Sequence, residues 1–195
     1  MPRLELQNKE RKCLYLGVSR KTRKNGCKVG SYLSELNKTE ILGGLLKRLG
    51  NFSPGAFERS FDERLIFQKT VYLLQSFGIY LGFSFSWYIR GPYCPLLAKY
   101  GYDLAKCFDR LSIVRFTNAT LEQRFVAFVS FLNDRKNNAE WLETLGSIHF
   151  LRDTYSGMKK SQILQMVQTK QPYLTIQQCE EAWDYLSEHK LIEGQ

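Results

Sequence analysis

The sequence is poor in the residues on which most active sites depend. Histidine occurs only twice, as His149 and His189, and neither stands in an H-x-x-x-H or H-E-x-x-H spacing that would bring two metal ligands together. No G-x-x-x-x-G-K-[ST] motif is present for binding nucleotide phosphates. These gaps argue against metal-dependent and nucleotide-dependent catalysis. We therefore expect a protein that is not an enzyme and that holds no metal or cofactor.

Paired cysteines and long apolar runs are missing as well. The five cysteines include no C-x-x-C pair, which argues against a disulfide framework and a structural zinc site. Cys13 and Cys27 could still pair, or join a metal site completed by another chain. No stretch reaches the ~18 apolar residues of a membrane span, and the first residues lack the apolar core of a signal peptide. We expect a cytoplasmic protein with no membrane partner.

Acidic residues are scarce in the first quarter of the chain. Residues 1–50 hold twelve lysines and arginines against four aspartates and glutamates, a net charge of +8, whereas residues 51–195 carry only +1. A basic run is typical of a solvated surface or a disordered tail, and also of a surface that meets an anionic partner. The candidate contacts for nucleic acid or another anion are Arg11, Lys12, Arg20, Lys21, Arg23, Lys24 and Lys28.

Two short strand patterns, at 14–18 and 27–32, flank the main cluster of cations, and the Asn25-Gly26 dipeptide between them favours a tight turn. We predict a basic, β-hairpin-like extension with cations near its tip. A ribbon of this kind can enter a nucleic-acid groove or follow a phosphate backbone, although other anionic surfaces would also attract it.

The rest of the chain is predicted to be mainly α, a helical bundle with a small β element. Asn37 and Glu40 form a capping-box signal for a short helix that closes the N-terminal extension. The stretch 51–55 has the composition of a loop. We therefore predict a basic extension over residues 1–50 and a helical domain over residues 56–195.

Within that domain, residues 61–77 are apolar on almost every helical face, which predicts a buried central helix. Apolar and polar residues alternate over 83–90, which is the period of a half-buried strand. Its aromatic side chains could pack in a core or stack on nucleic-acid bases. The segment 91–95 should break the strand, and Pro95 suits the first turn of the next helix.

Further helices are predicted from capping signals, and the last two are arranged like the helix-turn-helix core of a winged-helix domain. However, residues 171–195 carry a net charge of −4, and carboxylates are repelled by phosphates. We expect the last helix to pack or to contact protein. The predicted starts are Thr120 with Gln123, Asn138, a residue near Lys159, and Thr175 with Gln178.

Cys94, in a Gly-Pro-Tyr-Cys-Pro turn, is the one nucleophile candidate. Such a turn can hold a thiol near backbone N–H donors, but no nearby histidine supports it. His149 stands among apolar residues and is expected to be a core or boundary histidine.

Segments 64–74 and 85–98 resemble the YwgA-like proteins of bacteria and archaea and the related Panacea domains. The shared pattern is a Q-K-x-x-Y-L helix, an aromatic strand, a G-P-Y-S-P turn and a helix, and the resemblance extends over about residues 61–192. Cys94 stands where the family usually has serine, and the basic N-terminal segment has no counterpart. The motif residues are Gln68, Lys69, Tyr72, Trp87, Gly91, Pro92, Tyr93, Cys94 and Pro95.

The resemblance implies a prokaryotic, protein-binding role, because Panacea domains are associated with antitoxins and one relative acts as a proteolytic adaptor. It also implies that the motif residues are structural or form a partner surface. We therefore predict a non-enzymatic regulatory adaptor or antitoxin-like protein. The alternative is a nucleic-acid or ribonucleoprotein binder that uses the basic N-terminal segment.

Overall fold

The structure, a computed structural model, describes residues 37–193 and the backbone of one strand at residues 18–20. Its helices are α1 (Lys38–Leu49), α2 (Pro54–Arg59), α3 (Phe61–Ser76), α4 (Pro95–Cys107), α5 (Ala119–Leu132), α6 (Ala139–Thr154), α7 (Lys160–Lys170) and α8 (Ile176–Glu188). Single 3₁₀ turns lie at Phe108–Arg110 and Asn133–Asn137. Its strands are β1 (Val18–Arg20), β2 (Ser86–Tyr88), β3 (Gly91–Tyr93) and β4 (Val114–Phe116), paired antiparallel as β1 with β4 and β2 with β3. The predicted mainly helical fold with a small β component is confirmed.

Helix α3 is the centre of the fold. Residues 65–74 are all buried, and α3 packs against α6, in which residues 141–148 are buried in the same way. A helix covered on every side is apolar on nearly all of its faces, which explains the pattern that predicted it, and its buried polar side chains must find hydrogen-bond partners. No helix within residues 37–193 is long and apolar enough to cross a membrane.

Helix α1 packs closely against β4. Its predicted capping box between Asn37 and Glu40 is present, and it ends at Gly50 in a left-handed conformation with φ 63°. A β-carbon on Gly43 or Gly44 would collide with the Leu111 or Val114 side chain, so both glycines allow the close approach. The α1 leucines belong to the same apolar cluster as α3 and α4. The division at 51–55 stays a prediction.

The predicted N-terminal hairpin lies mostly outside the described residues. Only Val18–Arg20 is described there, and it pairs with β4, with Ser19 opposite Arg115. The predicted turn at 25–26 and the second strand at 27–32 are not among the described residues.

Three local predictions were wrong. The 51–55 stretch is not all loop, because Pro54 starts helix α2. The segment 91–95 does not end the β element, because Gly91–Tyr93 pairs with β2. The predicted apolar–polar alternation over 83–90 stops at Ile89, because Ile89 and Arg90 form the turn between the two strands. Helix α5 is capped by Asn118, which accepts from the Leu121 N–H. Asn118 caps the helix, and not the predicted Thr120, because the helix already begins at Ala119.

The C-terminal helices follow the predicted boundaries closely. Thr175 and Gln178 form the predicted capping box of α8. The carboxylates of α8 point outward, and two of them are paired, Glu181 with Arg135 at 2.6 Å and Asp184 with Lys160 at 2.9 Å. The winged-helix resemblance of this pair stays a prediction.

Candidate functional site

Two consecutive side chains of α3 hold the β2–β3 hairpin in place. The Gln68 amide donates to the Cys94 carbonyl oxygen at 3.0 Å and accepts from the Cys94 N–H at 3.1 Å. The neighbouring Lys69 Nζ donates to the Pro92 carbonyl oxygen at 2.7 Å. All of these groups are buried, so they satisfy backbone atoms that would otherwise be unpaired in the core.

Gly91 lets the hairpin lie directly on α6. Its φ is +79°, and a β-carbon there would collide with the Ser147 hydroxyl. Glycine adopts this backbone conformation without the steric penalty of other residues. The resemblance implied that Gly91 is structural or part of a partner surface, and that choice stays a prediction; the geometry shows why glycine fits here.

A buried carboxylate lies behind the hairpin turn. Glu143 of α6 is fully buried, and it accepts from Arg90 Nε at 2.7 Å and from Arg90 Nη2 at 2.6 Å. It also accepts from the Gln171 amide at 2.7 Å and from the Tyr173 hydroxyl. We call these four residues the Glu143 network. A buried charge is tolerated only when it is paired and hydrogen-bonded. The partners of Glu143 come from the hairpin and from the α7–α8 connection, so the network joins both of these segments to α6.

The electrostatics of the network follow from burial and charge. Burial lowers the pKa of Lys69 to about 7, and the nearby Glu143 carboxylate only partly opposes this effect. The hydrogen bond to Glu143 raises the pKa of Arg90, so this guanidinium stays charged. Burial first, and then the hydrogen bond to Glu143, raises the pKa of the Tyr173 hydroxyl, which therefore keeps its proton as a donor.

In front of the network, an apolar groove of about 520 Å³ opens between α2, α3, α4 and the hairpin. This lies within the ~300–1,000 Å³ range of ligand pockets. We call it the aromatic groove. Its lining is Phe57, Phe61, Arg64, Leu65, Phe67, Gln68, Lys69, Tyr88, Ile89, Arg90, Gly91, Tyr93, Ala98 and Tyr102.

The rim of the aromatic groove exposes large apolar side chains. Phe61, Tyr88, Ile89 and Tyr102 are all exposed, and Ile89 at the hairpin turn is the most exposed of them, at 67%. These residues come from α3, α4 and the hairpin, so the tertiary structure gathers them. Exposed apolar side chains gathered on one concave surface are typical of a binding site.

The two arginines that line the groove, Arg64 and Arg90, give it fixed positive charge. Arg64 Nη1 donates to the Phe57 and Glu58 carbonyl oxygens at 3.1 and 3.2 Å. The Arg90 guanidinium lies over the Phe61 ring at 5.6 Å and the Tyr173 ring at 4.6 Å. Both arginines are therefore held in place, and no aspartate or glutamate is among the residues that line the groove.

The sequence motif residues fall on two sides of α3. Gln68, Lys69, Gly91 and Tyr93 line the groove, and Pro92, Cys94 and Pro95 form the turn that supports it. Tyr72 and Trp87 lie elsewhere: the Tyr72 ring packs on Phe85 at 5.1 Å, and the Trp87 ring packs on Phe150 at 5.8 Å.

The structure does not describe the side chains of the basic N-terminal candidates. Arg20 lies in β1, of which only the backbone is described. The other six, Arg11, Lys12, Lys21, Arg23, Lys24 and Lys28, fall outside the described residues.

Sequence reasoning missed Arg64, Arg90 and the other three members of the Glu143 network as site residues. One signal for Glu143 was present, since it is the single acidic residue in the buried run 141–148. A carboxylate in such a run indicates a buried partner. Gln171 and Tyr173 gave no comparable signal, because they are close to Glu143 only in the folded chain.

The nucleophile candidate Cys94 acts as a helix cap. Its Sγ is buried and accepts from the Leu97 N–H at 3.4 Å, at the start of α4. His149 of α6 is the histidine nearest the motif in the sequence. Its Nδ1 lies 2.8 Å from the Tyr72 hydroxyl, and burial lowers the pKa of the imidazole. Within the described part of the chain, no three His, Cys, Asp or Glu side chains are placed to hold a metal ion.

In comparisons with known proteins, no family model, no curated protein and no solved structure matches this chain. The resemblance to YwgA-like and Panacea proteins therefore rests on sequence patterns alone, those of the motif segments and, more weakly, of residues 141–151 and the last two helices, and it stays a prediction.

Proposed function

We propose that this protein is a non-enzymatic regulatory adaptor, antitoxin-like in kind, that binds a partner protein through the aromatic groove. The observation that carries the proposal is the set of exposed apolar side chains around a concave, arginine-bearing surface. Aromatic residues and arginines dominate the binding energy of protein interfaces, especially where they surround a pocket.

The rigidity of the groove supports a binding role. Gln68, Lys69 and Arg90 tie its back wall to α3 and α6 through buried hydrogen bonds. A surface that is already ordered loses little conformational entropy when a partner binds.

The place of Cys94 supports a non-enzymatic role. Its thiol is buried and already serves as the cap of α4, with the Leu97 N–H as its donor. A nucleophile needs an open approach and an activating base.

The test is affinity purification from cells of the source organism, after nuclease treatment, with three forms of the full chain. Ile89→Ser removes an exposed apolar side chain from the rim, and Ile113→Ser is the matched control, since Ile113 is 48% exposed and lies outside the groove. We expect a defined protein whose recovery falls at least about fivefold with Ile89→Ser and is unchanged with Ile113→Ser. Equal recovery by all three forms contradicts the proposal.

A second candidate function is nucleic-acid or ribonucleoprotein binding by the N-terminal segment. The +8 charge of residues 1–50 favours it. Three cations of that segment are occupied within the fold: Lys38 donates to Gly82, Lys47 to Leu111, and Arg48 pairs with Glu122. The remaining cations would supply the contacts. Copurifying nucleic acid, seen as a high ratio of absorbance at 260 to 280 nm, is the expected sign.

A further inference from the structure

We propose that the partner segment bound in the aromatic groove is a short apolar peptide that carries an acidic side chain, whose carboxylate is held by Arg64 and Arg90. This inference rests on the proposed function, and it names the chemistry of the partner. A groove that combines apolar walls with fixed guanidinium groups suits a ligand that is apolar around one negative charge.

The groove and the proposed ligand are complementary in charge. The guanidinium groups of Arg64 and Arg90 line the groove, and none of its lining residues is acidic. Two carboxylates act on Arg90 from outside the lining of the groove: Glu143, which is buried behind it, and the exposed Asp62. Glu143 is paired with Arg90, whereas Arg64 bonds only to backbone carbonyls and forms no ion pair within residues 37–193, so one unpaired positive charge remains at the groove.

The arginines also have donors to spare. Arg64 uses only Nη1, for two backbone carbonyls, and Arg90 uses only Nε and Nη2, for Glu143, among the hydrogen bonds of residues 37–193. Each guanidinium therefore has further N–H groups with no partner in the described part of the chain. A carboxylate accepts such N–H groups through charge-assisted hydrogen bonds, which are stronger than neutral ones.

The apolar side of the groove fits a peptide better than a single charged group. Phe57, Leu65 and Phe67 form a buried floor, and exposed Tyr88 and Ile89 form one wall. Large apolar side chains flanking the acidic residue would cover this surface. The chain's own residues 1–36 are a poor occupant, because they hold nine lysines and arginines against three glutamates, and this net charge of +6 is repelled by the arginines of the groove.

The experiment selects random dodecapeptides displayed on phage against the immobilised full chain. We expect the enriched peptides to contain at least two large apolar residues and an aspartate or glutamate. The best peptide is then synthesised in two forms, acidic and with the matching amide (Asn or Gln), and its affinity is measured by fluorescence polarisation. Replacing the acid by the amide should weaken binding about tenfold or more.

Protein variants locate the carboxylate. Arg64→Gln should weaken the acidic peptide by about tenfold and leave the amide peptide nearly unchanged. The matched control is Arg124→Gln, since Arg124 also lies on a helix and donates to a backbone carbonyl, that of Gly78, but it is outside the groove. If Arg64→Gln does not fold, the acid-to-amide comparison on the unchanged protein still tests the inference.

The outcomes separate this inference from the proposed function. Apolar peptides that lack an acid, or carry a base, and that lose binding on Ile89→Ser overturn the inference and keep the docking function. Peptides that bind Ile89→Ser as well as the parent overturn both. Binding of decanoate in the groove, without enrichment of any peptide, also overturns the peptide inference, since a small apolar acid is then the ligand.

Discussion

Arg90 and Glu143, fifty-three residues apart in the sequence, form a two-point ion pair in which the carboxylate is fully buried and the guanidinium lies at the edge of the groove. Glu143 thus fixes the direction in which Arg90 presents its remaining N–H groups. The pair connects the interior of the fold to the proposed binding surface, so its loss should affect both stability and binding.

We expect Arg90→Met to lower the free energy of unfolding by about 3–5 kcal/mol, because Glu143 would keep a buried charge without its cation. Adding Glu143→Met should recover part of that loss. The measurement is urea unfolding of the two single variants and the double variant. The exposed pair of Arg135 and Glu181 is the control, and Glu181→Ala should cost less than about 1 kcal/mol. Additive effects of the two Met substitutions would contradict coupling across this pair.

Gly91→Val should destabilise the fold by about 3 kcal/mol or more, because the left-handed φ of +79° and the contact with Ser147 both disfavour a side chain. Gly157→Val is the control, since nothing lies within 4 Å of a β-carbon there. Thermal unfolding of both variants measures the difference. Equal melting temperatures for Gly91→Val and the parent protein would show that the hairpin can move away from α6.

Cys94→Ser should keep both the fold and partner binding, because a serine hydroxyl can cap α4 as the thiol does. Cys94→Ala removes the acceptor of the Leu97 N–H and should cost about 1 kcal/mol. Urea unfolding distinguishes the two variants. If Cys94→Ser folds normally but loses partner binding or another activity measured for the parent protein, the thiol does more than cap α4, and its role as a nucleophile must be considered again.

Lys69 should make stability depend on pH. Its pKa is lowered from 10.5 to about 7 by burial, so between these values the unfolded chain holds a proton that the folded chain has released. The free energy of unfolding should therefore rise with pH across this window, by up to about 1.4 kcal/mol per pH unit. Lys69→Met should lack this rise. Urea unfolding at intervals across the window checks this, and parallel curves for the two proteins would refute it.

The basic segment should set the salt dependence of any nucleic-acid binding. If about five or six of its cations contact phosphates, log affinity should fall against log salt with a slope near −5. Replacing Arg20, Lys21, Arg23 and Lys24 with serine should flatten the slope by about 3–4 and leave thermal stability nearly unchanged. Arg48→Ser should instead reduce stability, because Arg48 bonds to Glu122 and Val114. Unchanged binding by the fourfold variant removes the main support for this function.

Local signals predicted most of the helices. The α3 helix, the capping boxes at Asn37 and Thr175, and the cap at Asn138 were all read from residues within one or two turns of each other. The wrong local predictions arose where the sequence allows two structures about equally well. Asn118 and Thr120 can both cap a helix, and a Gly-Pro-Tyr segment can end a strand or form one.

The candidate site was predicted only in part. Gln68, Lys69 and the Gly-Pro-Tyr-Cys-Pro turn were singled out through a family resemblance, but their mutual hydrogen bonds could not be read from spacing. Glu143, Gln171 and Tyr173 form one network although they come from different helices and connections. A single sequence gives no pairing information for residues that far apart.

By itself, the sequence determined the positions of most of the helices, the buried centre at α3 and the uneven charge, because each depends on periodicity, capping or composition over a short stretch. Only the tertiary structure decided which face carries the aromatic groove and which cations line it. Arg64 and Arg90 line one surface because hydrogen bonds hold the hairpin against both α3 and α6. The physical reason is packing: burial of Lys69 and Glu143 selects one arrangement of distant segments, and that arrangement places Ile89 and its aromatic neighbours around a single concave surface.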